Sequence, residues 1–251
     1  MKDIVIDTSD NRMIYASYEL ESLGYHVIPY REYKGINAVT YVFSPAKKFR
    51  DSEIRDFVDG SVVVAGNMER YIEEELVSRG IAHVNLLSDE VYAYENAIYT
   101  AEVALMLIIR NTAMSISDAK MLIMGYGRVG KAVANMLSAL GVDFAIGARR
   151  YEERASAYLV TSDIRGIDGD FEGVDVIINT IPAHVITREG LSHISKDCYI
   201  LDLASYSAID MTDMSDNTLN YAIEHGLPGR YTPKSAGSSL VKAFLRSVGE
   251  Q

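Results

Sequence analysis

Short apolar runs alternate with stretches of helical spacing along the first third of the chain. Residues 3–7, 26–29, 38–43, 61–65 and 82–85 are rich in Val, Ile and aromatic side chains and are short enough to be strands. Between them, residues 12–23, 51–58 and 68–79 carry the spacing of helices, and Gly24 stops the first of these. Strands alternating with helices predict a parallel sheet covered on both faces. Residues 1–94 are therefore read as one small doubly wound domain.

The pattern then changes. Residues 95–114 include Ala101-Glu102-Val103-Ala104-Leu105-Met106-Leu107-Ile108-Ile109, apolar on nearly every side, which predicts a buried helix connecting two domains (residues 95–116). A second alternating region covers 117–232, with strands expected at 121–124, 143–146, 174–179, 199–203 and 218–222. A last helix, 235–248, follows Pro233 and carries Leu240, Val241, Phe244 and Leu245 on one side. Residues 233–251 are assigned to that helix.

The densest chemistry lies where the second region begins. The apolar run Met121-Leu122-Ile123-Met124 ends in Gly125-Tyr126-Gly127-Arg128-Val129-Gly130, an apolar-striped segment runs to Leu140, and a second strand follows. In such a strand-turn-helix-strand unit the first glycine makes the tight turn, the second lets backbone approach a pyrophosphate, and the third packs helix on strand. A pyrophosphate there lies on the helix N-terminus, where unpaired N–H groups and the macrodipole favour anions. The fold class is thus α/β with two doubly wound domains, a flavodoxin-like one followed by a Rossmann NAD(P)-binding one.

The end of the second strand bears on which dinucleotide is held. A carboxylate about 20 residues beyond the glycines holds the ribose 2′-hydroxyl of NAD, whereas arginine accommodates the 2′-phosphate of NADP. This chain reads Gly147-Ala148-Arg149-Arg150, with no carboxylate and two guanidiniums suited to phosphate. NADP is the expected cofactor, the alternative for the arginines being a solvated helix start.

Composition narrows the class further. A formal net charge of −11 disfavours nucleic acid and anionic membrane surfaces, so an anionic ligand must be caught by local cations. No run approaches the ~20 apolar residues of a membrane span, and the chain enters a strand pattern without a signal-like segment, so a cytoplasmic protein is expected. The single cysteine, Cys198, borders an apolar run and reads as a packed thiol. It excludes disulfides within the chain, and no metal site is expected.

Three later segments carry a resemblance. They are Ile178-Asn179-Thr180-Ile181-Pro182, Tyr199-Ile200-Leu201-Asp202-Leu203-Ala204-Ser205, and Gly226-Leu227-Pro228-Gly229-Arg230-Tyr231-Thr232-Pro233-Lys234-Ser235-Ala236-Gly237. With Gly-Tyr-Gly-Arg-Val-Gly and Gly-Ala-Arg, in that order, they resemble the A-type subunits of bacterial dipicolinate synthases. The likeness is close over residues 97–240 and architectural before that, where this chain is shorter than typical members.

The resemblance implies an NADP-binding, dehydrogenase-like subunit that forms dipicolinate (pyridine-2,6-dicarboxylate) from a dihydrodipicolinate-type intermediate, on a branch of the lysine pathway used in sporulation. It implies as partner the flavoprotein-like B-type subunit of dipicolinate synthase, and the two-domain arrangement of formate and glycerate dehydrogenases, in which the last helix, here residues 233–251, packs back on the first domain. A homodimer is common for that architecture.

Candidate site residues follow. Beside Gly125 to Gly130, Arg149 and Arg150, cofactor contacts are expected from Thr180, Ile181 and Pro182 at one strand end, from Asp202, Ala204 and Ser205 at the next, and from Lys234. Thr180 would line the nicotinamide ribose, unless the segment is simply a strand ended by proline. Asp202 either meets the carboxamide or turns the chain, and Lys234 is either an anion contact or a solvated charge. For a dicarboxylate substrate, Arg12, Ser44 and Asn67 lie on the strand-end loops of the first domain, with Arg12 as carboxylate clamp or surface residue. Glu102, taken as buried, is a candidate base or a structural carboxylate, and His184, just past the Ile-Pro turn, is a candidate proton shuttle.

Two rival readings stand beside this one. A D-2-hydroxyacid dehydrogenase shares the architecture but needs an arginine after the strand at 199–203, where this chain has Ser205, and a late histidine, where the last is His225. A non-catalytic NADP-binding scaffold for the flavoprotein subunit would keep the dinucleotide site without hydride transfer.

Overall fold

A computed structural model describes residues 3–158, 160–161, 163–165, 171–214 and 219–249. The chain divides into two compact units, one of residues 1–96 with 226–251 and one of residues 97–225.

The first unit holds five parallel strands: β1 (Ile4–Ile6), β2 (Val27–Pro29), β3 (Thr40–Val42), β4 (Val62–Ala65) and β5 (Ala82–Asn85). Their order is β2-β1-β3-β4-β5, the flavodoxin-like order, with its reversal point between β1 and β3. Alternation along each strand feeds two cores. Ile4, Ile6, Val42 and Val64 face α1 (Asn11–Ser22) and the C-terminal helix α9 (Pro233–Val248), which contributes Leu240, Val241 and Phe244. Val5, Tyr41, Phe43 and Val63 face the other way and meet Ile54 of α2 (Asp51–Arg55), Phe57, and Ile72 and Leu76 of α3 (Arg70–Ser78). Helices α1 and α9 approach so closely that a Cβ on Gly237 would lie 2.5 Å from the Arg12 carbonyl oxygen.

Helix α4 (Glu90–Thr112) runs across the division between the units. It is not buried all round. Ala97, Ala101, Ala104 and Ile108 are buried, whereas Val91, Tyr94, Met106 and Ile109 are exposed on another face. Glu102 lies among the exposed residues, which corrects the expectation of a buried carboxylate on this helix. An apolar composition counts residues without saying which face each occupies, and that is where the expectation failed.

The second unit holds six parallel strands: β6 (Met121–Met124), β7 (Phe144–Gly147), β8 (Ile164–Arg165), β9 (Val176–Asn179), β10 (Tyr199–Asp202) and β11 (Asn220–Ile223). Their order, β11-β10-β9-β6-β7-β8, is the Rossmann order. Strands β6, β7, β9 and β10 are buried along their whole lengths, as expected of a parallel sheet covered on both sides. The strand expected at 218–222 is β11, and Thr218 lies outside the described residues. Helices α5 (Arg128–Ala139), α6 (Tyr151–Ala157) and α7 (Arg188–Ser192) complete the unit, while α8 (Leu227–Tyr231) belongs to the first. Among the described residues no helix is long and apolar enough to cross a membrane.

Candidate dinucleotide site

The order of the second sheet reverses between β6 and β9, and ligands of open parallel sheets bind beyond the strand ends at such a point. Gly125 leaves β6 with φ +95°, a conformation that side chains rarely adopt, and a Cβ there would stand 2.5 Å from the Thr180 hydroxyl. Gly130 lies against the turn, where a Cβ would be 2.2 Å from the Gly125 carbonyl oxygen. Gly127 differs from both: it is the N-cap of α5, no side chain caps the helix, and the space a Cβ would enter is open. The leading N–H groups of α5 lack intrahelical acceptors and no side chain caps them, so this is a cradle suited to an anion.

A cavity of about 330 Å³ opens there, lined by Gly125, Tyr126, Gly127, Arg149, Arg150, Glu153, Thr180, Ile181 and Pro182. Residues expected from the glycine turn and from the loop after β9 are thus brought together with both arginines. Tyr126 is buried, which raises the affinity of its phenol for its proton, and Lys131 sits 5.5 Å from its ring centre. Arg128, on the first turn of α5, is exposed, and Val129 is half-buried. These features fit the diphosphate of a nicotinamide dinucleotide.

Glu153 is the wall residue that sequence reasoning missed. It accepts from Arg150 through both Nε, at 3.0 Å, and Nη2, so a carboxylate stands beside the arginines after all. The spacing of three on a helix start was the available signal.

Several of the expected residues also bond within the fold. The Thr180 hydroxyl donates to the Met124 carbonyl at 2.9 Å, fastening the loop after β9 under the glycine turn. Asp202 is fully buried, and its carboxylate accepts from Asn179 Nδ2 (2.8 Å), Ala204 N–H (3.1 Å), Ala208 N–H (2.6 Å) and the Tyr221 hydroxyl (2.7 Å). Its bonds are directed within the fold, so it shapes the loop that carries Ala204 and exposed Ser205. Asn179, also fully buried, holds Ile181 of the loop after β9 through both ends of its amide and reaches the end of β10 by its bond to Asp202. His184 is exposed on the loop after β9, its ring 4.7 Å from that of Tyr206 on the loop after β10. Lys234 is exposed on the first turn of α9 in the first unit.

In the first unit, Arg12 and Ser44 converge, but on the protein's own carboxylate. Asp10 caps α1, accepting from the Arg12 N–H at 2.9 Å, from Arg12 Nε at 3.0 Å and from Ser44 Oγ at 2.8 Å. Arg12 is 3% exposed, which corrects any reading of it as a surface residue. Beside this group Lys47 bridges Asp7 (3.2 Å) and Glu53 (2.9 Å), and the two hydrogen bonds lift its proton affinity against the opposing effect of burial, the larger single influence. Asn67 accepts from Asn85 Nδ2 at 2.7 Å. Among the described residues no cluster of three His, Cys, Asp or Glu side chains could hold a metal.

Residues 91–225 match the family described as D-isomer specific 2-hydroxyacid dehydrogenase, NAD binding domain. The chain belongs to that family. The A-type subunit of dipicolinate synthase from Bacillus subtilis (strain 168) is 27% identical over 229 residues, covering 89% of this chain and 77% of that protein. The crystal structure of the corresponding dipicolinate synthase subunit from Bacillus halodurans matches at 24% identity with a TM-score of 0.86, covering 100% of this chain and 98% of that one. An NAD-complexed D-isomer specific 2-hydroxyacid dehydrogenase from Lactobacillus delbrueckii ssp. bulgaricus matches at 12% identity and a TM-score of 0.64, covering 100% and 98%. The two solved structures share the fold. The resemblance to the A-type subunit of dipicolinate synthase noted in the sequence is thus shown, and membership of the dehydrogenase family gives the chain a nicotinamide-cofactor domain.

Proposed function

We propose that this chain is the NADP-using, dehydrogenase-like subunit of a dipicolinate synthase, oxidising a dihydrodipicolinate-type ring to pyridine-2,6-dicarboxylate. The observation that carries the reading is the placing of Arg149 and Arg150 on the same cavity as the glycine turn, in a chain related to the A-type dipicolinate synthase subunit over most of its length. Gly127 and the first turn of α5 hold the diphosphate, and the arginine side of the cavity takes the 2′-phosphate. Asn179 and Asp202, bonded at 2.8 Å, fix the loops beside the reactive end. NADP, when bound, accepts the hydride that the substrate ring gives up. The ring also loses a proton, for which exposed His184 is the proposed acceptor; an imidazole is suited to that transfer near neutral pH. The proposed partner is the flavoprotein-like B-type subunit, and the proposed setting is the cytoplasm of a spore-forming cell on a branch of lysine synthesis.

The test is spectrophotometric reduction of NADP with enzymatically generated dihydrodipicolinate, with and without the flavoprotein-like partner. Reduction with formation of pyridine-2,6-dicarboxylate under either condition supports the reading, and no product under both rejects it. The family match at residues 91–225 favours a second reading, a 2-hydroxyacid dehydrogenase. That enzyme would turn over members of a panel of 2-keto acids with NADPH.

A further inference from the structure

The two arginines after β7 are not equivalent. Arg150, at the N-cap of α6, places two of its nitrogens on one oxygen of Glu153. Arg149 makes no hydrogen bond or ion pair with any described residue. It lines the cofactor cavity and also an adjoining hollow of about 450 Å³ formed with Tyr151, Arg154, Ala155 and Tyr158. Glu153 is a wall of the cavity, its side chain 18% exposed against 71% for Arg150. The carboxylate is therefore the inner member of the pair and the guanidinium the outer.

We propose that Glu153 sets the cofactor choice of this chain: it neutralises Arg150, leaves Arg149 as the cation that takes a 2′-phosphate, and restrains the preference for NADP over NAD. The inference rests on the NADP reading of the site. A phosphate monoester carries about −1.5 to −2 charges at neutral pH, so a carboxylate on the same wall repels it. A ribose 2′-hydroxyl, by contrast, donates to a carboxylate, the contact that marks NAD sites. Arg149 and Glu153 thus pull the choice in opposite directions, and Arg150 contributes little while Glu153 holds it. Charges this near the surface interact through high dielectric, so removing the Glu153 charge is expected to change relative affinity about fivefold, less at high salt.

The experiment is direct titration of the full chain with NADPH and with NADH, followed by calorimetry, for wild type, Glu153→Gln, Glu153→Ser, Arg149→Gln, Arg150→Gln and the Arg150→Gln/Glu153→Gln pair. Wild type is expected to bind NADPH more tightly. Arg149→Gln removes that preference, Arg150→Gln lowers it by less than Arg149→Gln does, because it leaves the Glu153 carboxylate unpaired on the wall, and either Glu153 variant raises it about fivefold. The double variant returns part of the gain, because the released Arg150 supplies part of it. Glu153→Ser keeps the test available should the amide disturb the start of α6. A wild-type preference that both Glu153 variants leave unmoved, or an Arg150→Gln loss equal to that of Arg149→Gln, overturns this inference alone. A wild type that binds the two cofactors equally overturns the NADP reading, and the inference with it.

Discussion

The Tyr221 hydroxyl donates to the buried carboxylate of Asp202 at 2.7 Å and also meets Ser207 Oγ at 2.8 Å. This joins β11 to the loop that leaves β10. Tyr221→Phe removes one donor from a buried anion and is expected to cost about 1–3 kcal/mol. Asp202→Asn is expected to cost more, since it withdraws the charge and turns an N–H₂ group toward existing donors. Urea denaturation followed by circular dichroism measures both; an Asp202→Asn variant as stable as wild type would contradict the assignment of Asp202 to the fold.

The same phenol gives the protein an alkaline limit. Burial pushes Tyr221 up to about 12 from an ordinary 10, with Ser207 opposing and Asp202 adding to the shift. A folded-state value above the unfolded one means the stabilisation is complete below pH 10 and is lost as pH rises toward 12. Tyr30 in the first unit is likewise raised to about 12, chiefly by burial. Tyrosinate absorbance during alkaline titration should therefore show these two phenols ionising late, with stability falling between pH 10 and 12. In Tyr221→Phe the share of that fall belonging to Tyr221 should disappear. Ionisation of both near pH 10 in the folded protein would count against the burial described.

Gly127 and Gly130 separate binding from folding. Gly127 has φ −78° and open space where a Cβ would go, so Gly127→Ala should leave stability within ~0.5 kcal/mol. The added methyl faces the anion cradle, and NADPH affinity should fall by about tenfold. Gly130→Ala sets a Cβ 2.2 Å from the Gly125 carbonyl oxygen, so backbone must move, at about 1–3 kcal/mol. Thermal melts with and without NADPH distinguish the two. Equal destabilisation would mean that the cradle is not open.

Cys198 is 1% exposed, and burial first, then the charge of Asp175, pushes its thiol up to about 12. At neutral pH it should resist thiol reagents in the folded protein and react at once in denaturant. Rapid labelling without denaturant would place this residue outside the core.

Much of the second sheet is legible in the sequence because β6, β7, β9 and β10 are buried on both faces and must be apolar at nearly every position. The glycine turn is legible for a related reason: Gly125 and Gly130 stand where a Cβ meets backbone or a neighbouring side chain. Strand β8, two residues long, and helices α7 and α8, five residues each, carry too few positions to set a period. Glu153 and Asp10 show a different limit. Each is defined by the arginine it holds, and charge pairing depends on rotamers that residue order does not specify. Asp202 was visible as a strand-end carboxylate, but only the four donors around it show that its bonds point inward.

The central claim, that the second unit carries a phosphorylated nicotinamide dinucleotide across the end of β6, is tested most directly by backbone hydrogen exchange with and without saturating NADPH. Slowed exchange is predicted at residues 125–131, 147–153 and 179–183, with NADH giving weaker protection at the same segments. Unchanged exchange at 125–131 under saturating NADPH would contradict the account.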